Sequence, residues 1–204
     1  MDFIDRKATY GSEAGDPSPG SFVKAVAVLV VGGTGAGKTA LIDSVSDIRP
    51  LVLRETLPWA RERPGRSVGS VRPAQYSVAV DFGRMAIDEE ILLLLFGICE
   101  RDRTTSFWDE LCACALGAIV LVDACRVNAG WETVVVLAER GVPFVVAVNV
   151  FPGAVVPSIV GVRSALDLSA EVPVVFGDAR LSGFTGAVLR ELIRTLHDVK
   201  RGGG

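Results

Sequence analysis

The chain has 204 residues, half of them apolar, with 21 Lys and Arg against 24 Asp and Glu for a net charge of −3. That length suits one domain, and the apolar share excludes wholesale disorder. The charge balance leaves no global basic footprint, so no nucleic-acid partner is expected.

In chain order, residues 1–22 are rich in Gly, Ser, Pro and Asp and read as a disordered tail. They begin Met-Asp-Phe-Ile-Asp, with acids where an export signal carries basic residues. Residues 24–31 are a continuous Val/Ala/Leu run, the mark of a strand buried on both faces. A helix is predicted over 38–46. Residues 47–75 show no periodicity and hold four prolines, Pro50, Pro58, Pro64 and Pro73. They are read as a long loop. Arg49, Arg54, Arg61, Arg63, Arg66 and Arg72 outnumber its acids, so it is either a solvated loop or a docking surface for an acidic partner or phosphate.

Strands are predicted over 76–82 and 90–96; too few residues separate them for a crossover helix, so they should pair antiparallel. A helix over 106–116 precedes a strand over 118–122. The longest apolar stretch, 111–122, falls short of the ~20 residues that span a bilayer. A helix over 129–140 ends at Gly141, a suitable glycine for a helix stop. Then come a strand over 143–149, a helix over 158–168, a strand over 173–176 and a helix over 184–198, where Val188, Leu192 and Leu196 recur every four residues. The domain is placed at 23–199, with a frayed end over 200–204. Strands alternating with helices give an α/β fold: three layers around a six-stranded, mostly parallel sheet with one antiparallel edge strand.

The four cysteines, Cys99, Cys112, Cys114 and Cys125, lack zinc or redox spacing and are expected to be reduced and mainly buried. The lone histidine, His197, is expected to be a solvated surface residue.

One motif carries chemistry. After the first strand stand Gly32, Gly33, Thr34, Gly35, Ala36, Gly37, Lys38, Thr39 and Ala40. The pattern is G-x-x-x-x-G-K-T, the phosphate-binding loop. Glycines let backbone N–H groups turn inward around an anion. The following helix points its positive end at the same place. Lys38 would reach the β- and γ-phosphates, and the Thr39 hydroxyl would face Mg²⁺. A dinucleotide fingerprint would need glycine where Lys38 stands.

Downstream, Asp81-Phe-Gly-Arg84, Leu95-Phe-Gly97, Phe107-Trp-Asp109, Val120-Leu-Val-Asp123, Phe144-Val-Val-Ala-Val-Asn149 and Asp178-Ala-Arg180 follow in order. Together with the phosphate loop they resemble the small Ras-like P-loop GTPases of actinobacterial conservon operons, relatives of the gliding-motility GTPases. The resemblance covers roughly residues 22–198. It implies a cytoplasmic switch that binds GTP or GDP with Mg²⁺, peripheral to a membrane only through partners. Those partners would be regulatory: a roadblock-type protein and a sensor-kinase-like protein. It also implies a base site at Asn149, Phe151, Asp178, Ala179 and Arg180, with Thr39 and Ser77 at the metal.

Three departures qualify it. Where the family reads L-F-G-T-P-G-Q-D-R-F, this chain reads Leu95-Phe-Gly-Ile-Cys-Glu-Arg-Asp-Arg-Thr104. Glu100 replaces the glycine beside the γ-phosphate, and Arg101 the glutamine that orients water. Arginine offers no acceptor for that water. Ser77 is the single hydroxyl near the place of the metal-closing threonine. The base-reading N-x-F-D becomes Asn149-Val-Phe-Pro152, and proline has no acceptor side chain. Weak or partner-dependent hydrolysis is therefore expected, with guanine selectivity eroded. The alternatives are a pseudo-GTPase binding module with a degenerate site and an ATP-using P-loop protein, for which Asp123 would be the acid ending an apolar strand.

Overall fold

In the computed structural model of this chain, residues 24–57, 76–99 and 106–202 are described. The predicted tail over 1–22, most of the arginine-rich loop (58–75) and residues 100–105, with Glu100 and Arg101, lie outside them.

Among the described residues, seven strands make one sheet: β1 (Lys24–Gly32), β2 (Leu51–Leu57), β3 (Tyr76–Ala86), β4 (Ile91–Cys99), β5 (Ala115–Asp123), β6 (Phe144–Asn149) and β7 (Val174–Gly177). Their spatial order is β2-β3-β4-β1-β5-β6-β7. Among the described residues the helices are α1 (Lys38–Asp43), α2 (Ser106–Cys114), α3 (Trp131–Glu139), α4 (Ile159–Leu166) and α5 (Ser182–Gly202), with a 3₁₀ turn over Val127–Gly130 ahead of α3.

The apolar runs explain the three layers. Successive side chains of a strand point to opposite faces. Leu29, Val31, Val120 and Val146 therefore face α2, α3 and α4, packing with Trp108, Leu137 and Leu166. Val28, Val30, Ile119, Leu121 and Val145 face α1 and α5, packing with Leu41, Ile42, Val188 and Leu192. Each fully buried leucine of this kind contributes about 2 kcal/mol. β1, β4, β5, β6 and β7 are parallel, so they bring their C-terminal ends to one edge of the sheet.

The strand count differs from the expected six. Residues 51–57, read as loop, form β2, paired antiparallel with β3 from Leu51↔Phe82 to Leu57↔Tyr76. Local stitching places it there. The Ser46 hydroxyl donates to the Arg84 carbonyl and accepts from the Arg84 N–H, both at 3.2 Å. The Asp47 carboxylate accepts from the Ala86 N–H at 2.6 Å. The antiparallel hairpin is β3–β4, as expected. Yet β3, the single strand running against the others, is interior because β2 takes the edge.

Strand extension shortens the β3–β4 turn to residues 87–90, where the Asp88 carboxylate accepts from the N–H groups of Glu90 and Ile91, both at 2.8 Å. α1 is shorter than the predicted 38–46, and α5 runs on to Gly202, past 199. Gly141 follows α3 with φ +65°, in the left-handed conformation that suits a helix stop.

Of the cysteines, only Cys112 is buried; Cys99 is half-buried, and Cys114 and Cys125 are exposed. Burial pushes the Cys112 thiol up to about 11.

Candidate functional site

The loop 33–37 links β1 to α1 at the edge where the parallel strands end. Gly35 and Gly37 carry φ of +81° and +103°, conformations that side-chain-bearing residues rarely adopt. Gly37 is required twice over, because a Cβ there would stand 2.5 Å from the Asn149 Nδ2. As the residue before α1, Gly37 also has no side chain with which to cap the first turn. The Lys38 ammonium folds back over the loop, donating to the carbonyls of Gly32 and Gly33 at 3.1 and 3.0 Å. Thr34, Gly35 and Thr39 are exposed, whereas Ala36 is buried beneath the loop. Ala40 is half-buried in the first turn of α1.

Thr39 has a partner that the sequence reading did not assign. Its hydroxyl donates to the Asp81 carboxylate at 2.6 Å. Asp81 comes from β3 and lies in register with Gly97 of β4. A Cβ on Gly97 would stand 3.0 Å from the Asp81 Cβ and 3.4 Å from its Oδ2. Glycine at 97 therefore opens the path by which a carboxylate on one strand crosses its neighbour to reach α1. Ser77 is on the same strand, in register with Thr56, but its side chain is not among those described.

Two oxygen donors, a hydroxyl and a carboxylate, fit Mg²⁺, which takes one or two protein oxygens and completes its octahedron with phosphate and water. Among the described residues, no group of three or more His, Cys, Asp or Glu stands together to hold a metal ion by itself.

Asn149 ends β6 and is 1% exposed. Its amide nitrogen donates to the Ala36 carbonyl at 2.9 Å, and its amide oxygen accepts from the Ala179 N–H at 2.9 Å. One side chain thus braces the phosphate loop against the loop after β7, which the sequence placed at the base. Ala179 is fully buried there. Asp178 and Arg180 flank it and bind each other, with Arg180 Nη to Asp178 Oδ2 at 2.6 Å. The Arg180 hydrogen bonds hold the Asp178 carboxyl down at about 2. Phe151 and Pro152 are exposed in a turn closed by the Ala154 N–H on the Phe151 carbonyl at 2.9 Å. The structure therefore brings Asn149, Ala179 and the phosphate loop together.

Asp123, the acid of the ATP-using alternative, is turned elsewhere. Its carboxylate accepts from the Cys125 N–H at 2.9 Å and pairs with Arg126 at 3.1 Å. Asp81, not Asp123, is the carboxylate on Thr39.

No family model and no curated protein matches this sequence. Solved structures do. A mutant S. thermophilus NFeoB bound to GDP matches with a TM-score of 0.50 and 17% identity over 83% of this chain. This chain spans 62% of that one. The G domain of the T. maritima FeoB iron transporter matches with a TM-score of 0.51 and 14% identity, over 84% of this chain and 99% of that one. The shared feature is the fold, that of the P-loop GTPase G domain. Among the described residues, no helix is long and apolar enough to cross a membrane.

Proposed function

We propose that this chain binds a guanine nucleotide with Mg²⁺ at the phosphate loop and works as a Ras-like switch with slow or partner-dependent hydrolysis. The observation that carries the reading is an adjacency. A glycine cradle with its lysine folded across it runs directly into a hydroxyl–carboxylate pair, Thr39 and Asp81. An anion site touching a hard-cation site is what a metal–nucleotide complex needs. The GDP bound to the NFeoB neighbour supports guanine over adenine.

Each residue has a physical task. The loop amides and Lys38 receive the β- and γ-phosphates. Thr39 and Asp81 would hold Mg²⁺, which when bound neutralises charge on the phosphate oxygens. Asn149 holds the cradle in shape from behind. Hydrolysis is expected to be slow, since Arg101 stands where the resemblance places the water-orienting glutamine. Unassisted Ras-type turnover is already on the order of 10⁻⁴ s⁻¹. A roadblock-type protein as activator and a sensor-kinase-like protein are the regulatory partners in this proposal, resting on the resemblance.

The test is titration of metal-stripped protein with fluorescent GDP, GTP and ATP, repeated with Mg²⁺ added. Micromolar or tighter GDP binding, with ATP weaker, is expected. Lys38→Ala should weaken every nucleotide by about a hundredfold or more. Binding unchanged in that variant would show that the loop is not the site. A wild-type chain that binds no nucleotide would instead be a G-domain-shaped binding module.

A further inference from the structure

We propose that Arg126 is a second cation of the phosphate site, contacting the terminal phosphate of a bound nucleoside triphosphate but not a diphosphate. This rests on the nucleotide-binding reading above and adds to it a residue that separates the two nucleotide states.

A cavity of about 420 Å³ opens beside the phosphate loop. Gly33 and Thr34 of the loop, Cys99 at the end of β4, and Asp123 and Arg126 beyond β5 all line it. The Thr34 hydroxyl and the Cys99 thiol meet across it at 3.5 Å. Cys99 directly precedes residue 100, which the resemblance places at the γ-phosphate. The cavity is therefore on the flank of the loop where a third phosphate would extend past a second.

Arg126 is aimed at that flank. One of its Nη atoms stands 3.9 Å from where a Cβ on Gly35 would be, at the top of the loop. The arm is held in place: Nε donates to Asp123 Oδ2 at 3.2 Å, and the same Nη atom that faces Gly35 forms an ion pair with that oxygen at 3.1 Å. Asp123 is itself fixed by the Cys125 N–H on its other oxygen. The Asp123 side chain is 12% exposed and that of Arg126 is 64% exposed. A guanidinium has five N–H donors in a rigid fork. Asp123 accepts from one, at Nε, and no other acceptor among the described residues takes the rest. The pair is thus a pre-oriented cation with donors to spare, over a loop built for anions.

A stability role is a poor account of it, because an exposed i,i+3 ion pair contributes little. That contrast makes the idea testable. Full-length wild type, Arg126→Ala and Arg126→Lys would be titrated in Mg²⁺ buffer with GDP and with slowly hydrolysed GTPγS, and melted in parallel. Arg126→Ala should weaken GTPγS by about tenfold or more and GDP by less than about twofold, with unchanged melting. Arg126→Lys should recover part of the loss. Equal weakening of both nucleotides, or none, would overturn the role of Arg126 while leaving nucleotide binding intact. A wild-type chain that binds neither nucleotide would overturn both readings.

Discussion

At the end proposed for the phosphates, the site is built in main chain: glycines in left-handed turns, one lysine folded over two carbonyls, and an asparagine bracing from beneath. At the end proposed for the base, recognition would depend on a side-chain acceptor, and there Pro152 offers none while Asp178 is occupied by Arg180. Main-chain recognition tolerates drift in sequence provided the glycines and the brace persist. Side-chain recognition is lost in a single substitution. In this chain the main-chain end has every part of its pattern, and the side-chain end lacks its acceptor.

The largest effect should come from removing what joins the two ends. Asn149→Ala leaves the Ala36 carbonyl and the Ala179 N–H without their partner in a buried place. At about 1–3 kcal/mol for each orphaned group, a loss of about 3 kcal/mol is expected. That corresponds to roughly 6–12 °C in Tm for a chain of this size, with nucleotide affinity falling alongside. An unchanged melting curve would mean that the brace is dispensable.

Next comes the metal side of the phosphate end. Asp81→Asn keeps shape and removes charge. Nucleotide affinity with Mg²⁺ should then fall by about tenfold or more, while affinity in EDTA stays near wild type. Equal losses with and without Mg²⁺ would point to a structural part for Asp81 instead.

The smallest effect is a gain at the base end. Pro152→Asp restores a carboxylate able to accept from a guanine edge. The GTP-over-ATP preference should rise by about tenfold, worth ~1.4 kcal/mol. If the ratio of the two affinities does not move, residue 152 does not face the base.

The legibility of this fold in its sequence follows the same physical divide. β1, β5 and β6 are buried on both faces, so each reads as an unbroken apolar run. In β2 the side chains that are described, Leu51, Val52 and Leu53, are all exposed. A strand held by its ladder to one neighbour leaves no period-two signal, and among prolines and arginines it reads as loop. The phosphate loop was legible because its residues are consecutive. Asp81 was visible only as a word of the resemblance; its role depends on lying opposite Gly97, a pairing that chain order does not display. The cysteines were misjudged because composition states how often a residue type is buried, not which helix face carries it. Cys112 and Cys114, two apart on α2, fall on opposite sides of that question.

The crossing of Asp81 over Gly97 also bears on how the chain reaches its native state. In a strand, a shift of one residue turns every side chain to the other face. A β3–β4 hairpin zipped one residue out of step would carry Asp81 away from Thr39 and set another residue against Gly97. A mispaired hairpin would therefore leave the Thr39–Asp81 pair unassembled. On the proposed function, Mg²⁺-dependent nucleotide affinity would then be a form of proofreading: it would register whether two strands have aligned as well as whether a ligand is present.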